Sequence, residues 1–281
     1  MSKIVKIELD SGKINLSDKQ IKVWNAFSEL SPEEFYKELA QDLPKETKLY
    51  LELSEQGELQ NINHIYTKGK NKGFNFYRVF EEDNRAFHAK ASVKNMFNED
   101  VAKIVNRNLF NFYLKSEIKN ADIDAEDIGV YAWARAGFIP DDKSWDNIKY
   151  IIEERLDFLE EHPSLEDGQL PYDVVDNIRS VIKSDDPKGY WDIVDQDYLY
   201  YDMPLGKILT LPLLRLPDEL LDTAEAEDVF REKLDWKGSF EVKEKSASIK
   251  RFNSYIGSCI KPVTSKKSNK VSNRRYNKLG L

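Results

Sequence analysis

GVYAWARAGF, Gly129 to Phe138, closed two residues later by Pro140, is the stretch on which the reading of this chain turns. Its simplest reading is a helix end. Gly137 supplies the left-handed residue after the last turn, Phe138 makes the accompanying apolar contact, and Pro140 stops the helix. Tyr131 and Trp133 then pack, and Arg135 faces water or a carboxylate. What surrounds the stretch decides whether that is all it is.

Immediately upstream, Ile118 to Ile128 has room for one short strand. Before it, Asn98-Glu99-Asp100 has a capping residue and an acidic first turn. Val101, Val105, Leu109 and Phe112 follow at steps of four, four and three, which predicts a helix to about Lys115. From Lys48 to Lys94 the period is two. Leu49, Leu51 and Leu53, then Ile62, Ile65 and Tyr66, then Phe74, Phe76 and Tyr77 to Phe80, then Phe87, Ala89, Ala91 and Val93 are separated by Gly- and Asn-rich turns. The pattern predicts an antiparallel meander of three or four strands. Lys3 to Leu9 alternates as a first strand. Ser17 to Gln20 and Ser31-Pro32-Glu33-Glu34 are capping-box starts for two helices, carrying Trp24 and Phe27, then Phe35 and Leu39.

Downstream, Ser144 is placed to cap a helix with Trp145, Ile148, Ile152, Leu156 and Leu159 on one face, ended by His162-Pro163. Further helices are predicted over Pro171 to Lys183 and Pro217 to Leu234, with a strand at Phe240 to Val242. Trp191 to Tyr201 reads as an aromatic, acidic loop, or as a surface for a basic partner.

The meander, the long helix, the short strand and the helix ending in Gly-Phe resemble the central part of the GNAT superfamily of acyl-CoA-dependent N-acyltransferases. The resemblance covers Lys48 to Ile139, about a third of the chain, and its wording is similar to GNAT-like proteins of bacteria and their phages. It implies a GNAT-like mixed, mainly antiparallel sheet with flanking helices. It also implies an acetyl-CoA or other acyl-CoA cofactor if the protein is an enzyme, held near Val93, Lys94, Asn95, Asn98, Lys103 and Trp133. Family members seat the CoA pyrophosphate on backbone N–H groups of a Gly-rich turn at the start of the long helix. Residues 94–102 contain no glycine here, and Glu99 and Asp100 repel a diphosphate, a repulsion that Lys94 and Lys103 offset in part. The family tyrosine that protonates the leaving thiolate aligns with Trp133, whose indole has no titratable proton near neutral pH. Tyr131 carries a hydroxyl but lies about 200° around the helix from that position. A general base has to come from the meander, where Glu81, Glu82 and His88 are candidates by location, each also explained as a turn acid or a strand residue.

Other constellations carry less. His64, His88 and His162 share no metal-ligand spacing, and the many adjacent acids suit solvated helix faces. Cys259 is the only cysteine, so an intramolecular disulfide and a Cys-based zinc cage are excluded. No nucleophile elbow, P-loop or dinucleotide fingerprint is present. The N-terminus has no signal-peptide pattern and no apolar run approaches the ~18 residues of a membrane span, so a cytoplasmic protein is expected. The last 21 residues hold seven of the 42 Lys and Arg and no acid, which leaves 35 basic against 50 acidic residues, or −15, in the rest. Lys266, Lys267, Lys270, Arg274 and Arg275 thus form a candidate surface for nucleic acid or another partner.

The expected architecture is α+β: a GNAT-like domain over 1–143, a mainly helical extension over 144–260 and a disordered basic tail over 261–281. Three functions follow. The first is a GNAT-like protein that binds a macromolecular partner and has lost ordinary acetyl-CoA chemistry. The second is an active N-acyltransferase with a non-standard pyrophosphate site, using Tyr131, Glu82 or His88. The third is a nucleic-acid-associated accessory protein using the tail.

Overall fold

A computed structural model describes residues 3–12, 14–68, 72–94, 100–164, 167–257 and 261–263. It is an α+β protein with a large, mostly antiparallel sheet and ten α-helices among the described residues. The chain divides into two compact units, one formed by Met1–Asp122, Glu241–Ile249 and Ile256–Leu281, the other by Ile123–Phe240 and Lys250–Tyr255. The boundary expected at 143/144 therefore falls inside the second unit.

The first unit runs β1 (Ile4–Leu9), α1 (Asp18–Phe27), α2 (Pro32–Leu39), β2 (Lys48–Ser54), β3 (Leu59–Lys68), β4 (Lys72–Glu81), β5 (Arg85–Lys94), α3 (Asp100–Lys115) and the start of β6 (Asn120–Ala125). Strands lie in the order β1-β2-β3-β4-β5-β6, antiparallel as far as β5 and parallel between β5 and β6. Both predicted capping boxes are formed, Ser17 with Gln20 and Ser31 with Glu34. Strand alternation sends Val5, Ile7 and Leu9, then Leu49, Leu51 and Leu53, inward. The helices meet them with aromatic edges. Trp24, Phe27 and Phe35 contact one another at 5.4–5.5 Å, and Phe35 meets Phe112 of α3 at 5.6 Å. Helix α3 buries Val101, Val105, Leu109 and Phe112, the stripe its spacing predicts.

The second unit contains α4 (Gly129–Arg135), β7 (Ile139–Pro140), α5 (Asp142–Glu161), α6 (Tyr172–Ile182), α7 (Gly189–Val194), β8 (Leu199–Tyr200), β9 (Met203–Pro204), α8 (Leu205–Thr210), α9 (Ala224–Arg231), and most of β10 (Trp236–Glu241) and of α10 (Ala247–Ile256). Strand β10 pairs antiparallel with β7 through Gly238 and Pro140. Three elements differ from what the sequence predicts. Asp141, not Ser144, caps α5: its carboxylate accepts the Ser144 N–H at 2.7 Å, and the Ser144 hydroxyl accepts the Lys237 N–H instead. The helix expected over 217–234 is broken, because Thr223 is extended and caps α9 through the Ala226 N–H. The stretch read as a loop at Trp191 starts inside α7.

The ending of α4 follows the simplest reading in full. Gly137 has φ +97°, its N–H donates to the Ala134 carbonyl, and the Phe138 N–H donates to the Trp133 carbonyl. Trp133 and Phe138, the two residues such a stop brings together, pack edge to face at 5.0 Å. Near the other end of the chain Val263 is buried, so the first residues of the expected tail include a packed side chain. The rest of that tail, from 264 onward, lies outside the described residues.

Candidate functional site

The best-defined polar constellation lies where the meander meets α3. Alternation along β3, β4 and β5 sends His64, Arg78 and His88 inward among apolar neighbours, and all three are buried. The β4–β5 register explains why Arg78 is tolerated. Tyr77 pairs with Lys90 and Val79 with Phe87, so the single residue Arg78 faces two, His88 and Ala89. That is a β-bulge on β5. The Arg78 guanidinium braces it, donating to the Lys90 carbonyl at 2.8 Å and the Tyr77 carbonyl at 3.0 Å, and reaching Asn106 of α3 at 3.2 Å. Burial lowers its pKa to about 10, so it remains a cation at neutral pH.

The bulge has a consequence for the sheet edge. Strand β6 pairs with β5 only through Arg85, Ala86 and Phe87, and Arg85 grips Asp122 there at 2.6 Å. Beyond the bulge, among the described residues, no strand pairs with β5 on that side. Ala89, Lys90 and Ala91 are exposed, and Val93 is 44% exposed. Among the described residues this leaves the edge of β5 unpaired past the braced bulge, with Ala89 and Ala91 exposed there.

His88 is not at an accessible surface: it is 5% exposed, its Nε2 lies 3.2 Å from the Tyr113 hydroxyl and its ring stacks on Phe110. Burial, reinforced by the Arg78 charge, holds its pKa well below the usual imidazole value, so it is neutral. Glu82 begins a short 3-10 turn, Glu82–Asn84, and its side chain lies outside the described residues; Glu81, at the end of β4, is exposed. Val93 and Lys94 end β5, the side chain of Lys94 being outside the described residues. Asn95 and Asn98 lie outside them too, as do Glu99, Lys266, Lys267, Lys270, Arg274 and Arg275. Lys103 pairs with Asp100 at 3.7 Å in the first turn of α3. In the second unit, Trp133 packs on Phe138, and the Tyr131 hydroxyl accepts a hydrogen bond from Arg135 at 3.0 Å.

Sequence reasoning missed Arg78 and the bulge. The signal was present: Arg78 occupies the inward position between Phe76 and Phe80 in a period-two run. The second unit also holds a cleft of about 480 Å³ lined by Glu126, Asp127, Val130, Arg215, Leu234 and Asp235. Burial and the nearby Glu126 push the Asp235 carboxyl upward, while Arg215 pairs with Asp127 at 3.1 Å. Among the described residues no group of His, Cys, Asp and Glu is placed to hold a metal ion, and no helix is long and apolar enough to cross a membrane. The chain matches no protein-family model, no curated protein and no solved structure.

Proposed function

We propose that this chain is a divergent GNAT-like protein that acts mainly by binding a macromolecular partner, with ordinary acetyl-CoA chemistry lost. The observation that carries the reading is the open edge of β5 past the braced bulge. An exposed, unpaired strand edge accepts an extended peptide through main-chain hydrogen bonds. The imidazole nearest that edge, His88, is internal and neutral, so it offers no general base to a bound substrate. Support for the GNAT-like part is topological: a four-strand meander, a long helix, a strand parallel to the last meander strand, then the helix ending in Gly-Phe.

Calorimetry with acetyl-CoA tests the loss of chemistry: no heat is expected, and micromolar binding overturns the reading. A photo-crosslinking residue placed at Ala91 tests the edge. It should capture a partner in cells where the same residue at the exposed Lys37 of α2 does not; equal labelling at both positions refutes docking at β5.

One observation favours the alternative, an active acyl-CoA-dependent N-acyltransferase. Arg135 donates to the Tyr131 oxygen, which orients the hydroxyl so that its own proton can be given to a leaving thiolate. Under that reading Tyr131→Phe abolishes turnover while leaving acyl-CoA affinity unchanged.

A further inference from the structure

In the second unit Arg135, Arg251 and Lys207 have, among the described residues, one carboxylate within ion-pair distance, Asp195. Arg251 of α10 takes both oxygens of Asp195, at 2.8 and 3.0 Å, and donates through Nε to the Ala134 carbonyl at 3.0 Å. Its guanidinium lies 5.0 Å above the Trp191 ring. This bidentate pairing commits the Asp195 charge to Arg251. Arg135 approaches the same carboxylate only at 3.6 Å through Nε, and its Nη1 is used on the Tyr131 hydroxyl. Its remaining nitrogen, Nη2, has no partner among the described residues, and the side chain is 43% exposed. Lys207 of α8 brings its ammonium within 5.7 Å of the Tyr131 ring, and no carboxylate lies within ion-pair distance of it among the described residues. Two guanidinium groups therefore share one carboxylate, and an ammonium joins one of them at the same ring. This happens in a chain whose residues before 261 carry a net charge of −15.

We propose that Arg135 and Lys207, gathered at the Tyr131 ring, bind the phosphate group of a small phosphorylated ligand. A guanidinium edge suits two oxygens of a phosphate at once, and an ammonium supplies a second point charge, so a dianion neutralises both. The Tyr131 ring, also 5.6 Å from the Arg135 guanidinium carbon, holds both cations in place, and the Tyr255 ring backs Arg135 at 5.9 Å. Arg251 is a positioning residue: by occupying Asp195 it leaves Arg135 available. This site is independent of the β5 edge and of the partner proposed for it.

Calorimetric titration of the full-length chain with inorganic pyrophosphate and with inorganic phosphate tests the assignment. Sodium chloride at matched ionic strength serves as the control. Saturable binding of at least one phosphate species is expected. Lys207→Gln and Arg135→Gln should each weaken it about ten- to hundred-fold, the range for losing a hydrogen bond to a charged group. Lys207 is only half-buried, so its variant keeps the test interpretable if Arg135→Gln fails to fold. Arg251→Gln, which frees Asp195 to capture Arg135, should weaken binding although Arg251 touches no ligand, and Asp195→Asn in that background should restore it. The assignment is overturned if neither phosphate species binds, if chloride reproduces the response, or if affinity is unchanged in Lys207→Gln. Unchanged affinity there would place the phosphate elsewhere, including on the basic residues beyond 263.

Discussion

Two imidazoles locked in the core make the stability of this protein sensitive to mild acid. His64 is fully buried, with its Nε2–H donated to the Leu39 carbonyl at 3.3 Å, and burial together with the Arg78 charge lowers its pKa to about 3. His88 is held well below its ordinary value by the same two causes. In the unfolded chain both return to about 6.5. As the pH falls through that value the unfolded state protonates both imidazoles more readily than the folded state does, so stability is complete above pH 6.5 and falls as the pH drops through it. Between pH 7.5 and 5.0 the His64 imidazole removes about 2 kcal/mol, a large part of a typical domain's 5–15 kcal/mol, and His88 adds a loss in the same direction. Glu52, whose pKa is lowered by the Lys6 hydrogen bond, contributes stability above its unfolded value near 4.5, and its loss begins below this window. Asp235, raised by burial, acts in the opposite sense and gains stability as the pH falls. Urea unfolding at pH 7.5, 6.5, 5.5 and 5.0 reads the slope directly. Near pH 5 unfolding should take up at least about one proton, and His64→Asn should reduce the uptake by about one, with His88→Asn reducing it in the same direction. His162, on the surface beside Glu225, provides the control substitution. An uptake below one proton in the unmodified chain, or equal midpoints at pH 7.5 and 5.0, would refute the argument.

Other substitutions probe separate links. Gly137→Ala forces a side chain into φ +97° and should cost about 1–2 kcal/mol in thermal or urea unfolding, and a neutral result would contradict the helix stop described here. Arg78→Ala strands the Lys90 and Tyr77 carbonyls and opens a cavity, so a loss of about 3–5 kcal/mol is expected, with faster amide exchange across residues 88–91. A loss below about 1 kcal/mol would mean that the bulge does not depend on its brace. Gly238→Ala drives a methyl group into the Ile139 carbonyl oxygen, and should reduce soluble yield or melting temperature through the β7–β10 pair. If the basic residues beyond 263 hold nucleic acid, truncation after Val263 should abolish salt-sensitive DNA binding in a mobility-shift assay. Binding that survives truncation would remove that role.

Much of the first unit was legible because its signals are local and periodic. The two capping boxes, the leucine alternation of β2 and the stripe on α3 each name their element without help from distant residues. The second unit was harder to read for a physical reason. Helices α7 and α8 have only six residues each, too short for an apolar stripe to repeat. Their surroundings are held by contacts distant in sequence, such as the Tyr190 hydroxyl on the Val130 carbonyl and Arg155 on the Leu209 and Leu211 carbonyls. Among the site residues, Arg78 was visible as a charge at an inward position. The Arg135–Tyr131 bond was visible only as an i, i+4 spacing, and the approach of Lys207, more than seventy residues away, left no local trace.

The same distinction bears on how far GVYAWARAGF can carry a family resemblance. A helix that stops on a left-handed glycine brings the residue four before the glycine against the residue after it, and both gain from being apolar. Trp133 and Phe138 occupy those two positions and touch. The Trp-Ala-Arg-Ala-Gly-Phe frame thus has a complete local cause, and any chain that needs such a stop will tend toward it. What a helix stop does not require is that the strand before it run parallel to the last strand of an antiparallel meander. Nor does it require that this pairing end where β5 carries a bulge. The parallel pairing joins Arg85, Ala86 and Phe87 to Asn120, Ala121 and Asp122, and the bulge places His88 and Ala89 opposite Arg78. The proposal of a GNAT-like protein therefore leans on the order of its elements, the meander, the long helix and the strand parallel to the last meander strand, and little on Trp133.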